Sequence, residues 1–105
     1  MSVSFPLETS PRRSPARRVK LYVVDGELNS ELARTNLERI VARYLPDGCQ
    51  VEVIDVIENY QAAMEDQILV TPALVVQDPE PRITVFGNLS NTARTLAALR
   101  IDTSD

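Results

Sequence analysis

The pattern of apolar positions begins with a short strand. Residues 19–24 are rich in β-branched and aromatic side chains and end at the turn dipeptide Asp25-Gly26. A helix is predicted next, because Asn29 or Ser30 can cap its first turn and apolar residues then recur at helical spacing. These apolar residues are Ala33, Leu37, Ile40, Val41 and Tyr44. The helix should end at Pro46-Asp47-Gly48 and bury one apolar stripe.

The second half of the sequence has shorter apolar runs. Residues 51–57 are almost continuously apolar around Asp55, which is typical of a strand covered on both faces in a parallel βαβ unit. Asn59 can cap a short helix after this strand, the weakest of the predicted elements. Residues 73–77 and 83–86 are predicted to form a hairpin, because the two prolines between them interrupt the hydrogen-bonded ladder.

A last helix follows the hairpin. Asn88 or Ser90 can cap it, and its apolar stripe reaches Leu99. The predicted order is βαβαββα, an α/β domain with a parallel pair of strands and then an antiparallel pair, and this is the order of the thioredoxin fold. Thr71-Pro72 and Gly87 lie where that fold usually has a cis proline and a glycine.

The thioredoxin-like fold is predicted without its catalytic cysteines. Redox chemistry needs a low-pKa thiolate between the first strand and the first helix, where the helix N-terminus stabilises negative charge. Residues 25–30 fill this loop without a cysteine, and the single cysteine, Cys49, lies beyond the far end of the helix. We interpret Cys49 as a small buried hydrophobic residue. A thioredoxin-like redox protein is therefore only a remote alternative.

Other catalytic chemistry is also not expected. The sequence has no histidine, the commonest general base and metal ligand, and its three glycines are isolated rather than grouped in a phosphate-binding loop. Glu65 and Asp66 are adjacent, so on a helix their side chains diverge by about 100° and form a solvated acidic face rather than a catalytic pair. The sequence predicts no enzyme, no cofactor and no metal site.

Charge divides the 105 residues into a basic start and an acidic body. Residues 1–20 carry five basic side chains and one acidic one, whereas the rest of the chain carries six basic and fourteen acidic ones. Residues 1–18 are expected to be a disordered basic arm, residues 19–101 the folded domain and residues 102–105 a short tail. The arm can contact an acidic partner, anionic lipid or nucleic acid, but the favoured interpretation is a solvated extension that can fold back on the acidic body. Nucleic-acid binding is not expected, because no aromatic residue lies between the arginines.

The sequence predicts a cytoplasmic protein without a membrane partner. The longest apolar stretches, such as residues 21–24 and 73–76, are far shorter than the roughly 20 residues of a membrane span. The first twenty residues also lack the apolar region of a secretory signal.

Several strings, taken in order along the domain, resemble one family. They are Lys20-Leu21-Tyr22-Val23, Asn29-Ser30, Val53-Ile54-Asp55-Val56, Gln61-Ala62 through Glu65-Asp66, Ile68-Leu69-Val70-Thr71-Pro72-Ala73-Leu74 and Gly87-Asn88-Leu89-Ser90. Each string is weak alone, but the ordered set, from about Lys20 to Leu99, resembles the circadian clock family KaiB. The sensor domain of clock histidine kinases is related, but such a kinase needs a much longer chain.

The resemblance implies a non-enzymatic regulatory protein. Family members dock on the ATPase ring of KaiC and, in clock systems, recruit or sequester KaiA. The family is also metamorphic, because the second half of the chain can take two folds. One is a thioredoxin-like monomer that binds KaiC, and the other is a ground state of order βαββααβ, expected as a tetramer or dimer.

Four positions are candidate determinants of the fold state. Gly87 matches the family pattern, whereas Asn88 replaces the acidic residue that usually follows it. Ala98 and Arg100 stand where switching members tend to carry a glycine and an acid. Alanine is favoured over glycine inside a helix by roughly 1 kcal/mol, and a cation in the last turn suits the helix dipole. We therefore expect the thioredoxin-like state to predominate. The alternative is that both residues only reflect ordinary helix composition, in either fold.

The resemblance places the partner-binding surface on the short helix and its exit. Its residues are Ala63, Glu65, Asp66, Gln67, Leu69 and Val70, with Thr71-Pro72 shaping the backbone. The equally weighted alternative is that Leu69 and Val70 are core residues. Leu32, Gln67 and Thr84 occupy positions where the family uses basic residues toward KaiC, which indicates a divergent paralogue.

Two functional hypotheses follow from the resemblance. In the leading hypothesis, the chain docks on a KaiC-like ATPase and modulates a circadian clock or related signalling. In the alternative, it is a KaiB-like adaptor in stress or two-component signalling, with a histidine kinase as its partner.

Overall fold

A computed structural model describes residues 17–46, 48–78 and 80–101. Within these ranges four strands alternate with three helices in the order βαβαββα. The elements are β1 Arg17–Val23, α1 Leu28–Tyr44, β2 Cys49–Asp55, α2 Tyr60–Glu65, β3 Ala73–Asp78, β4 Ile83–Phe86 and α3 Thr92–Ala98. The predicted arm through residue 16 and the predicted tail at 102–105 lie outside the described residues.

The four strands form one mixed sheet in the order β2-β1-β3-β4. β1 and β2 are parallel, and their register pairs Leu21 with Val53. β3 is antiparallel to both β1 and β4. This topology, with helices on the sheet, confirms the thioredoxin-like prediction.

Two apolar cores lie on opposite faces of the sheet, because successive strand residues point to opposite sides. The larger core joins Val19, Leu21 and Val23 of β1 to the apolar stripes of α1 and α3. The smaller core packs Ala63 of α2 against Tyr22 and neighbouring sheet residues. Among the described residues, no helix is long and apolar enough to cross a membrane.

The prediction that the second strand is covered on both faces is wrong. β2 is an edge strand of the sheet, and its side chains from Gln50 to Val53 are exposed. A continuous apolar run suits a strand whose two faces are both covered by helices, but how far the helices extend over an edge strand does not follow from the composition of that strand. β2 consequently presents valines to solvent beside α1.

The first strand and the helix caps also differ from the predictions. Arg17 and Arg18, placed in the arm by the sequence, belong to β1 because the start of β2 offers them a backbone partner. α1 starts earlier than expected, and its cap is the carboxylate of Glu27, which accepts a hydrogen bond from the Ser30 N–H. Asn91 caps α3, in place of the predicted Asn88 or Ser90.

Candidate partner-binding surface around the second helix

The short helix α2 and the chain leaving it carry an exposed apolar surface. Leu69 is 91% exposed and Val70 is 60% exposed, so the alternative that they are core residues is wrong. Ile57, Tyr60 and Met64 are exposed in the same stretch. We call these five residues the α2 surface. Five large exposed apolar side chains within residues 57–70 are typical of a protein-binding surface.

The structure separates the other predicted contact residues into two groups. Glu65 and Gln67 are exposed beside the α2 surface. Ala63 is only 5% exposed, because it faces the sheet and packs in the smaller core. Its predicted place on the binding surface is therefore corrected to a place beneath it. Ile57, Tyr60 and Met64 were missed, because a weak apolar pattern over six helical residues does not show which side faces the sheet.

Asp66 ends α2 and ties it to the sheet. Its carboxylate accepts a hydrogen bond from the Tyr22 hydroxyl at 2.5 Å and from Arg82 Nη1 at 2.7 Å. Lys20 Nζ completes the cluster at 3.4 Å. The Asp66 side chain is only 10% exposed, so its charge is compensated inside the fold. Asp66 therefore positions α2 and is not a free acidic contact for a partner.

The environment of this cluster shifts the pKa of two groups. Burial raises the pKa of Asp66, but the hydrogen bond from Tyr22 and the charges of Lys20 and Arg82 outweigh burial, and the net pKa is lowered. Burial and the hydrogen bond to Asp66 raise the pKa of Tyr22. Both shifts favour an ionised Asp66 beside a neutral Tyr22 at neutral pH.

The exit from α2 leads into the sheet through Thr71-Pro72, and this peptide bond is cis. The Pro72 carbonyl accepts a hydrogen bond from the Gly87 N–H at 2.9 Å, which places the end of β4 beside the chain leaving the α2 surface. Gly87 has a φ of 108°, a left-handed conformation that side chains rarely adopt. A glycine at this position is therefore required by the backbone.

Asn88 connects the chain before α3 to α1. Its carbonyl accepts a hydrogen bond from Asn36 Nδ2 at 2.9 Å, and its side-chain oxygen accepts one from the Ser90 N–H at 3.0 Å. A carboxylate could accept the same bond from Ser90, but it could not donate one, as Asn88 Nδ2 does to Asn29 Oδ1 at 3.3 Å.

The C-terminus of α3 contains the other two candidate determinants of the fold state. Ala98 lies in the last turn and is buried against the larger core. Arg100 lies beyond the helix with a φ of 60°, so the prediction of a last-turn cation is wrong. Its N–H donates to the Ala97 carbonyl at 3.1 Å and the Ile101 N–H donates to the Leu96 carbonyl at 3.0 Å, which is the pattern of a Schellman cap.

We expect glycine substitutions at Ala98 and Arg100 to have opposite effects. Arg100→Gly should raise the free energy of unfolding by about 0.5 kcal/mol, because relief of the left-handed strain exceeds the added unfolded-state entropy. Ala98→Gly should lower it by at least about 1 kcal/mol, the usual cost in a helix interior. Urea denaturation of both variants measures the two changes. A lower free energy of unfolding in Arg100→Gly would contradict the strain assigned to the left-handed conformation of Arg100.

The single cysteine does not provide a thioredoxin-like site. Cys49 is half-buried at the start of β2, and burial raises its pKa although the nearby Arg17 lowers it. A raised pKa reduces the thiolate fraction that redox chemistry requires. Within the described residues, no group of three or more cysteine or acidic side chains could hold a metal ion.

Comparison with known proteins identifies the family of this domain. The profile of the KaiB domain matches residues 20–101, most of the chain. The chain belongs to the KaiB family. It is 40% identical over 83 residues to the circadian clock protein KaiB3 of a Synechocystis species, a match that spans 79% of this chain and 81% of that protein. It is 39% identical over 90 residues to the circadian clock oscillator protein KaiB of Prochlorococcus marinus, with coverage of 86% and 75%.

Solved structures place this KaiB domain among thioredoxin-like folds. The N-terminal domain of SasA from Synechococcus elongatus superimposes with a TM-score of 0.68 at 21% identity, over 100% of this chain and 98% of that one. Mitochondrial thioredoxin 3 from Saccharomyces cerevisiae gives a TM-score of 0.66 at 19% identity, over 81% and 78% of the two chains. At these identities the likeness shows the fold alone. The KaiB family itself is a non-catalytic family of clock proteins.

Proposed function

We propose that this chain is a regulatory protein-binding module that docks on a KaiC-like ATPase through its α2 surface. Membership of the KaiB family supports the class of partner. The observation that carries the proposal is the exposure of Leu69 and Val70 immediately after α2, since a side chain this exposed adds nothing to the core. The surrounding exposed residues extend the apolar area that a partner can cover.

The thioredoxin-like arrangement is the binding state in this proposal. α2 is held on the sheet by Asp66, and its exit is fixed through the hydrogen bond between Pro72 and Gly87. The α2 surface is therefore formed in the free protein, so binding needs no refolding of this region. Preorganisation of this kind reduces the entropy lost on association.

The test is the affinity for a KaiC-like ATPase from the same organism. Leu69→Glu should weaken binding about tenfold, because it places a charge in the apolar contact. Leu28→Glu is the matched control, since Leu28 is also an exposed leucine but lies at the start of α1. Calorimetric titration of the three proteins against the ATPase, with ATP and with ADP, measures the affinities. Absence of binding by the unaltered chain in both nucleotide states, or equal losses in both variants, would overturn the proposal.

An adaptor role with a histidine kinase is the second candidate. Leu32 and Gln67 are exposed uncharged side chains at positions where the family resemblance expects basic ones. A weaker electrostatic contribution to KaiC binding would follow from this difference. The same titration against the sensor domain of a histidine kinase from the organism separates the two candidates. For the physiological partner alone, Leu69→Glu should lower the affinity while Leu28→Glu leaves it unchanged.

A further inference from the structure

The edge strand β2 and the adjoining groove are an incompletely covered part of the fold. Among the described residues, β2 has a strand neighbour on one side only, and its Val51 and Val53 are 40% and 38% exposed. A groove of about 320 Å³ lies between β2 and α1, with Arg34 and Glu38 as its charged lining residues. Its apolar lining comprises Leu21, Leu37, Val41, Ala42, Val51 and Val53. An edge strand with exposed apolar side chains favours pairing with another strand.

The two edges of the sheet differ in their capacity for such pairing. β2 has seven residues without a proline, and its register with β1 is continuous. β4, at the other edge, has only four residues, and Pro81 lies shortly before its start. Because shortness and nearby prolines are features that protect an edge strand, β2 is the less protected of the two edges.

The hydrogen bonds to β1 show which backbone groups of β2 face the free edge. The Val56 N–H donates to the Val23 carbonyl at 2.9 Å. In a parallel pair, alternate residues of one strand direct both backbone groups to the other strand, so the even-numbered residues of β2 face β1. Cys49, Val51 and Val53 therefore direct their N–H and carbonyl groups to the free edge. The side chains of Val51 and Val53 line the groove on the α1 face.

A second copy of β2 can pair antiparallel with this edge about a two-fold axis that passes through one residue of the strand. An axis at Glu52 would place two carboxylates opposite each other, which is destabilising. An axis at Val53 would place Asp55 of each copy opposite the apolar Val51 of the other. Neither of these registers makes the strand complementary to itself.

An axis at Val51 makes β2 self-complementary. Gln50 then lies opposite Glu52 of the other copy, where the amide can donate to the carboxylate, and Cys49 lies opposite Val53. The symmetry forms each of these pairs twice, with the two Val51 residues between them. The same short strand therefore supplies both members of every pair.

We propose that two copies of the chain pair through β2 about an axis at Val51. The two Val51 residues exchange both backbone hydrogen bonds, and each Cys49 does so with Val53 of the other copy. The two sheets become one continuous sheet, and the two grooves adjoin on one face. Since Arg34 and Glu38 give each groove one positive and one negative charge, the two grooves meet without a net repulsion.

This pairing leaves the α2 surface free. Val51 and Val53 line the α1 face of the sheet, whereas Ile54 points to the opposite face and packs in the smaller core beneath α2. The two-fold axis of an antiparallel pair is perpendicular to the sheet, so both copies present their α2 surfaces on the same side. The dimer can therefore bind an oligomeric partner at two points, which raises its avidity.

Cysteine cross-linking tests the register in the full chain. In a Cys49→Ser background, mild oxidation should convert Val51→Cys into a covalent dimer at least about tenfold faster than Val53→Cys. The two valines are matched in exposure, strand and face. At the axis the two Cα atoms are about 5.5 Å apart, within reach of a disulfide, whereas the two residues 53 are separated by roughly 14 Å along the strands. Equal rates, or faster dimer formation by Val53→Cys, would overturn this register.

Sedimentation equilibrium tests the association without a cross-link. Val51→Lys should raise the dimer dissociation constant at least about tenfold, because it places two ammonium groups together at the axis. Thr84→Lys adds the same charge to β4, at the other edge, and should leave the constant within about twofold. An unaltered chain that stays monomeric up to about 1 mM, or a dimer that both variants weaken equally, would overturn the proposal.

Amide exchange distinguishes a second copy from a segment of the same chain as the occupant of the edge. The Val51 N–H should exchange at least about tenfold faster well below the dissociation constant than well above it. Protection that does not change on dilution would assign the edge to the same chain, and the proposal would then be wrong.

Discussion

Asp66→Ala is expected to lower the free energy of unfolding by about 3 kcal/mol. After the substitution, the Tyr22 hydroxyl keeps only its longer hydrogen bond to the Ala62 carbonyl, at 3.3 Å. Lys20 and Arg82 lose the carboxylate that both of them contact. Hydrogen bonds to a charged group contribute about 1.5 to 3 kcal/mol each, and breaking a largely buried ion pair adds to this loss. Urea denaturation followed by circular dichroism measures the change.

The chain provides a matched control for Asp66. Asp78 is also an acid in an ion pair, with Arg18, but its side chain is 38% exposed and that of Arg18 is 55% exposed. Exposed ion pairs contribute about 0 to 1 kcal/mol, so Asp78→Ala should cost less than about 1 kcal/mol. Equal destabilisation by the two substitutions would show that the Asp66 cluster is no stronger than a surface pair.

The pH dependence of the same measurement follows from the lowered pKa of Asp66. A carboxyl whose pKa is lower in the folded state stabilises the protein fully above its unfolded pKa, near 4, and loses this contribution as the pH falls through the folded value. The difference between the unaltered chain and Asp66→Ala should therefore be largest near neutral pH and shrink below about pH 4. A difference that grows on acidification would contradict this assignment.

Arg17→Ala is expected to loosen the C-terminal end of α3 by about 2 kcal/mol. Arg17 Nε donates to the Leu99 carbonyl at 3.1 Å, and its Nη2 donates to the Arg100 carbonyl at 3.0 Å. These are carbonyls at the end of a helix that cannot bond within it, and the guanidinium also complements the negative end of the dipole. A loss of this size corresponds to roughly 30-fold faster amide exchange in α3, measured by NMR.

Arg18→Ala is the control for Arg17→Ala. The neighbouring arginine is on the opposite face of β1 and pairs with Asp78, so its loss should leave exchange in α3 unchanged. Arg17→Lys should recover only part of the protection, because an ammonium lacks the planar fork that bonds two carbonyls. Equal amide exchange rates in α3 of Arg17→Ala and Arg18→Ala would show that Arg17 does not stabilise the end of this helix.

The order of the elements could be predicted because each has a local signal. The stripe of Leu37 and Ile40 and the prolines after β3 both reflect constraints within a few residues. The exposure of β2 has no such signal, since it depends on how many strands the sheet has and where each is placed. The sequence alone therefore treats Val51 and Val53 like the buried valines of β3.

The candidate surface could be located from the sequence, but its composition could not. Family resemblance directs attention to residues 63–70, whereas the choice between core and surface depends on how a six-residue helix is rotated on the sheet. That rotation is set by Asp66, whose partners Tyr22 and Arg82 are distant in the sequence. A contact between distant residues leaves no periodic pattern, so neither the cluster nor the burial of Ala63 was predictable.

The contact between Arg17 and the end of α3 joins residues separated by 82 and 83 positions. During synthesis, Arg17 leaves the ribosome long before Leu99 and Arg100 exist, so β1 and β2 can pair while α3 has no stable end. The hydrogen bonds between β1 and the end of α3 can form only after Leu99 and Arg100 have been translated. Protease resistance of α3 should consequently be the last native property that a nascent chain acquires.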